Sequence, residues 1–353
     1  MLKISEKKLQ RLEHLADSRG VIAAAAMDQR GSLKKSIAKE KGVDPGQLSD
    51  DVMSEFKEAV SRVLTPHATA ILLDTEFGER AIKARAKNAG LLLAYEKTGY
   101  DAAKPGRLGD LLDHLSVQRL AEHGGDAVKL LLYYASDDDP QVNDIKHAWV
   151  ERIGAECAAE EMPLFLEVVT YDPRGGEEKS VAFAKRKPDL VMGYMREFSK
   201  PQYRVDVLKV EIPFDIAFVK GSRANKSGQA AYEKEEAKDI LRRAAQCTHL
   251  PFIYLSAGVD DDVFRESLVL AGEAGVSFSG VLCGRATWKE GIPMYARSGV
   301  KALEAWLADR GVKNIESLNA VLKQYAKPWY AAYGGRDKIK TIEYRPTGGA
   351  LSA

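Results

Sequence analysis

VDVLKVEIP, residues 205–213, reads as a β-strand with two unlike faces. Leu208, Val210 and Ile212 alternate with Val207, Lys209 and Glu211, so one face is apolar and the other carries a lysine and a carboxylate. Seven further apolar runs of strand length flank it, at 21–28, 68–74, 90–96, 127–134, 163–171, 251–258 and 278–285. Segments with charges on one side and aliphatics on the other lie between them, and 50–64, 108–123, 141–161, 230–247 and 260–274 are predicted helices. Strand and helix in alternation imply a parallel sheet, and eight units imply closure into a (β/α)8 TIM barrel. An open doubly wound sheet is the alternative. That fold usually carries a glycine fingerprint after its first strand, whereas here the first run ends in AMDQRGS, residues 26–32.

The chain of 353 residues divides on this reading into an N-terminal helix at 1–20 packed on the barrel, the barrel itself at 21–330, and a tail at 331–353. The helix is amphipathic through Leu2, Leu9, Leu12 and Leu15, and the apolar stretch that follows is too short to span a bilayer. The tail from residue 334 is polar and glycine-rich and reads as an appendage, and 220–228 reads as a mobile loop. With 52 Lys+Arg against 51 Asp+Glu, nothing in the global charge attracts nucleic acid or an anionic membrane. Cys157, Cys247 and Cys283 are widely spaced and suit small hydrophobes in a reducing compartment, which points to the cytoplasm.

Polar residues at inward strand positions require an explanation, because alternate residues of a barrel strand fill its interior. The alternation that turns Lys209 inward also turns Lys129 inward in AVKLLLYY and Glu167 inward in PLFLEVVTY. A single such charge is most often half of a structural ion pair. Buried pairs add little net stability, however, so three on neighbouring strands point to chemistry. An amine attacks a ketone only when neutral, and a nearby cation together with desolvation favours that form, so Lys129 is expected to activate Lys209. Glu167 is expected to shuttle protons with a pKa raised by enclosure. Asp28 ends the first strand, where it could orient or deprotonate a substrate hydroxyl or simply cap a turn; Asp74 and Glu96 end the next two. The seventh and eighth strands end in LSAG (Ser256, Ala257, Gly258) and LCGR (Gly284, Arg285). In barrels this sector often binds phosphate.

These stretches carry a family resemblance. AAMDQRGSLK at 25–34, ILLDTEFG at 71–78, GLLLAYEKTGYD at 90–101, DAVKLLLYY at 126–134, RIGAEC at 152–157, VDVLKVEIP, YLSAGV at 254–259 and SGVLCGRATW at 279–288 closely resemble the class I tagatose 1,6-bisphosphate aldolases. The match runs from Val21 to Trp329, weakening over 179–203. The resemblance implies a cofactor-free enzyme that cleaves a phosphorylated ketohexose to dihydroxyacetone phosphate and glyceraldehyde 3-phosphate. It makes Lys209 the Schiff-base residue and Lys129, Glu167 and Asp28 its companions. Ser256, Ala257, Gly258, Gly284 and Arg285 then surround a phosphate, with Gln29 and Arg30 available for a second anion. A related branch takes a sulfonated ketose phosphate, and a sugar-phosphate-binding regulatory barrel is the reading from another class. A metal-dependent aldolase would need clustered ligands, and His14, His67, His114, His123, His147 and His249 show no metal-ligand spacing. The substrate partner is therefore a small phosphorylated ketose; subunit number stays open, and a homo-oligomer is compatible with the sequence.

Overall fold

The computed structural model describes residues 2–97 and 104–343. The end of the GLLLAYEKTGYD motif and the last ten residues of the tail lie outside them. Ten strands occur among the described residues: β1 Leu2–Ser5, β2 Ile22–Met27, β3 Ala70–Leu73, β4 Gly90–Ala94, β5 Ala127–Tyr133, β6 Leu164–Val169, β7 Val207–Val210, β8 Phe252–Leu255, β9 Gly280–Cys283 and β10 Ile339–Ile342. Strands β2 to β9 form a closed barrel, every pair parallel, with β2 meeting β9 through Ile22↔Gly280 to Ala25↔Cys283. All eight predicted runs supply one barrel strand each, trimmed by no more than three residues at either end, where the chain leaves the ladder for the loops.

The strands face two ways, and two apolar layers follow. Outward residues such as Val128, Leu130, Leu166, Leu208 and Val210 pack beneath the surrounding helices in one large core. Inward residues, among them Ile22, Ala24, Ala26, Leu72, Leu92, Phe165, Val207 and Ile253, fill the barrel's lower half. Leu9 and Leu12 of the helix Glu6–His14, and Leu15 at its C-cap, join this inner cluster together with Trp329, so the segment before β2 closes the floor. The approach is close: a Cβ on Gly90, which opens β4, would lie 2.8 Å from the carbonyl oxygen of His14. The upper half holds the charges.

Three predicted elements differ. The stretch 1–20 is not one helix, because Leu2–Ser5 pairs in parallel with Ile339–Ile342 in a separate two-stranded sheet. That pairing also gives structure to the tail, predicted as an appendage, whose Ile339 is buried in the floor cluster. Of the predicted helix 108–123 only Val117–Glu122 is helical. The preceding residues are drawn to the end of β4, where Lys97 N–H donates to Asp110 and Leu112 N–H donates to Tyr95. Ser116 then caps the short helix that remains, its Oγ accepting from Arg119 N–H. The helix Val181–Glu197, with Pro188 inside it, was not among the predicted ones.

Candidate active site

Of the site residues singled out in the sequence, all but Asp74 line one cavity of about 540 Å³ at the C-terminal ends of the barrel strands. Register explains the centre of it. Glu167 on β6 is the direct neighbour of Lys209 on β7, and Leu131↔Glu167 links β6 to β5, where Lys129 sits one inward position below. One oxygen of Glu167, Oε2, lies 2.8 Å from Lys209 Nζ and 3.0 Å from Lys129 Nζ. Lys129 also donates to Asp28 Oδ2 at 2.8 Å and to Glu96 Oε1 at 2.7 Å. Both lysines are buried.

Electrostatics at this centre correct two expectations. Burial alone would raise the pKa of Glu167, yet the ammonium groups of Lys129 and Lys209 overcome it and hold the carboxyl below its usual value. Glu167 is thus a carboxylate in the free protein, contrary to the raised pKa expected from enclosure. Asp28 behaves alike: burial pushes it up, but Lys129, then Lys209, drive it well below the carboxylate range. Nor is Lys129 a bare cation poised to repel a proton from Lys209. Desolvation opposes its charge, but Asp28, Glu167 and Glu96 raise its pKa well above that of an ordinary lysine. The group that Lys209 faces most closely is an acceptor, Glu167.

The rest of the wall divides into engaged and open groups. Arg30 is buried, its Nη1 2.5 Å from Glu76 Oε2 and its Nη2 donating to the Glu96 carbonyl at 2.9 Å, so most of its fork is spent bracing the loops after β3 and β4. Its Nε, and Gln29 Oε1, are buried without a partner among the described residues. Arg285 follows β9, is exposed to the cavity, and has no carboxylate partner among the described residues. Its guanidinium lies against the turn after β8, since a Cβ on Gly258 would sit 2.8 Å from its central carbon. In that turn Val259 N–H donates to the Ser256 carbonyl, while Ala257 (φ +49°) and Gly258 (φ +78°) are both left-handed. A non-glycine residue held in that region costs of order 1–3 kcal/mol and marks a place where the backbone has a task.

Sequence reasoning passed over several residues. Tyr133, Glu211, Ser32, Lys35 and Lys97 also line the cavity. Glu211 was visible on the inward face of VDVLKVEIP, and it is held by Thr170 N–H, Thr170 Oγ and, at 3.0 Å, Lys187 Nζ. Lys57 and Asp74 form a fully buried ion pair behind Asp28. No group of three or more His, Cys, Asp or Glu side chains suited to a metal ion occurs among the described residues.

A parallel eight-stranded barrel with a lysine–carboxylate centre and an open arginine at its C-terminal mouth defines a class of enzymes that handle anionic carbonyl compounds through an amine. A family model described as DeoC/LacD family aldolase matches residues 22–290. The chain belongs to that family. Among similar proteins, tagatose 1,6-diphosphate aldolase 2 of Enterococcus faecalis is 51% identical over 94% of this chain and 98% of its own length. Tagatose 1,6-diphosphate aldolase of Listeria monocytogenes is 47% identical over 97% of this chain and 99% of its own. Among solved structures, an archaeal fructose-1,6-bisphosphate aldolase with its catalytic lysine bound to a carbinolamine superposes with a TM-score of 0.53 at 13% identity, covering 84% of this chain and 99% of that one.

Proposed function

We propose that the protein is a class I aldolase that cleaves tagatose 1,6-bisphosphate, and related ketohexose 1,6-bisphosphates, through an imine on Lys209. The observation that carries this reading is the 2.8 Å contact between Lys209 Nζ and a Glu167 oxygen that also touches Lys129. A proton passing from the Lys209 ammonium to Glu167 leaves a neutral amine beside the substrate ketone and a carboxylic acid beside the oxygen that must leave. Attack gives a carbinolamine, and return of the proton from Glu167 expels water to form the iminium. The iminium draws the electrons of the C3–C4 bond as the C4 hydroxyl loses its proton, releasing glyceraldehyde 3-phosphate. Protonation of the enamine and hydrolysis then release dihydroxyacetone phosphate.

The companions have matching tasks in this scheme. Lys129 keeps its charge throughout and holds Asp28, Glu96 and Glu167 converged. Asp28 orients a substrate hydroxyl. Arg285, with the Ser256–Val259 turn and Gly284, receives a phosphate, and Gln29, through its unpartnered Oε1, accepts from a sugar hydroxyl. Arg30 acts on a second anion through its Nε alone. The names of the two relatives support tagatose bisphosphate over a sulfonated ketose. The composition supports a cytoplasmic enzyme, and no described helix is long and apolar enough to cross a membrane.

Borohydride added with dihydroxyacetone phosphate tests the reading directly. A reduced adduct mapped to Lys209 by peptide mass is the expected result; an adduct on Lys129, or none, overturns it. Activity is expected to survive EDTA, because the iminium is itself the electron sink, and loss restored by Zn²⁺ would contradict that.

A further inference from the structure

Lys57 belongs to the helix Asp50–Leu64, outside the barrel, and is not among the residues that line the cavity. It is nonetheless wholly buried, and its ammonium donates to the Met27 carbonyl at 2.8 Å and to the carboxylate of Asp74, which is equally buried. The place matters. Met27↔Leu73 is the last registered pair of β2 and β3, and one residue further on the two chains leave the sheet as Asp28 and Asp74. Two carboxylates therefore emerge side by side from adjacent strands, one of them in the catalytic cluster. Lys57 sits behind both, taking the carbonyl that precedes Asp28 and the side chain of Asp74.

Asp74 in turn organises the loop beyond β3. Its Oδ1 accepts from Phe77 N–H at 2.8 Å, and the intervening Glu76 reaches Arg30. Packing alone does not explain this arrangement, since a buried ion pair is commonly no more stabilising than an apolar pair of the same shape. An apolar pair would, however, leave the Met27 carbonyl without its donor.

We propose that Lys57 is a positioning residue for the aldolase reaction: by holding the Met27 carbonyl and neutralising Asp74, it fixes the Asp28 carboxylate in its contact with Lys129. The inference rests on the aldolase reading of the site. The test is a mutant cycle in the full chain, comparing parent, Lys57→Met/Asp74→Leu, Asp28→Asn, and all three substitutions together, with tagatose 1,6-bisphosphate as substrate. The paired substitution removes both charges at once and is expected to fold, with kcat about 10–100-fold lower and KM within about threefold of the parent. In the Asp28→Asn background the same pair is expected to lower kcat by less than about twofold, because residues that act through one another are not additive.

Lys57→Gln/Asp74→Asn retains an N–H for the Met27 carbonyl and is expected to recover part of the lost kcat. It carries the same cycle should the first pair fail to fold. An unchanged kcat in the folded paired variant, or the same fractional loss with and without Asp28, overturns the role of Lys57. Borohydride trapping of the parent keeps the two ideas apart: no adduct on Lys209 defeats the site reading, whereas an adduct together with an additive cycle defeats only the positioning role.

Discussion

Glu167 is shared by two ammonium groups, and this makes it a base before it is an acid. Lys129 and Lys209 together hold the carboxyl low; once the Lys209 proton crosses to Glu167, one of those two charges is gone while Lys129 remains, and the group holds the proton loosely enough to give it back. Glu167→Gln keeps the shape but cannot carry a proton, so kcat is expected to fall on the order of 10²-fold or more in steady-state assays. Lys129 has the larger structural burden. Its raised pKa contributes stability that is complete below the value of a free lysine and fades as pH rises through the folded value. The depressed Asp28 and Glu167 contribute stability above the ordinary carboxylate range, lost as pH falls through their folded values. Lys129→Met removes the one cation that Asp28, Glu96 and Glu167 share, leaving Lys209 on Glu167, and costs about 3–5 kcal/mol near neutrality. Burial, no longer opposed by its largest counter-charge, then favours the protonated form of Asp28 in the folded state. The variant's Tm should accordingly rise as pH is lowered from 7 towards 5, while the parent's does not; thermal melts across that range decide it.

At the level of elements, the turn after β8 and the short helix that opens at Arg285 act as one device. Gly258→Ala puts a side chain at φ +78° and within 2.8 Å of the Arg285 guanidinium, so it should strain the turn and displace the arginine together. Arg285→Ala should cost about 1.5–3 kcal/mol in kcat/KM for a phosphorylated ketose, with the loss shrinking sharply for an unphosphorylated one. Arg285→Lys should fall between, keeping charge without the planar fork. Equal losses for both substrates would show that Arg285 serves the barrel and not the phosphate. The strands and their inward residues were legible because each reports itself through alternation, as Lys209 does between Val207 and Glu211. What each charge meets was not legible. Lys57 lies in a helix studded with surface charges, and nothing in DDVMSEFKEAVSRVL separates it from Glu55 or Glu58 except helical phase. The state of Glu167 depended on how many cations share its oxygen, a distance that spacing along the chain does not encode.

The barrel interior keeps its charge and its apolar packing at opposite ends. The mouth gathers Lys129, Lys209 and their carboxylates, while the floor is sealed by Leu9, Leu12, Leu15, Trp329 and Ile339 beneath a layer of small residues such as Ala24 and Ala26. Substitutions in the floor should therefore act on stability and leave the reaction alone. Trp329→Ala is expected to cost about 3–5 kcal/mol, with kcat/KM per folded molecule unchanged; an active-site titration alongside chemical denaturation separates the two quantities. The sequence marked the leucines of the first helix but not β1 with β10, because two four-residue strands at the ends of a chain have no local partner to reveal them.

That last pairing bears on how the protein is made. It joins the second residue of the chain to the 339th, just as the barrel itself closes only when β9 reaches β2. During translation at about 5–20 residues per second, the first strands wait on the order of tens of seconds with their edges open before the partners that cover them have left the ribosome. Helices can form as they emerge, but the barrel cannot close before β9 has emerged, nor the floor before β10. A nascent chain of this kind is a natural client for chaperones that shield unpaired strands, and slowing translation between β2 and β9 lengthens the period in which those edges stay open.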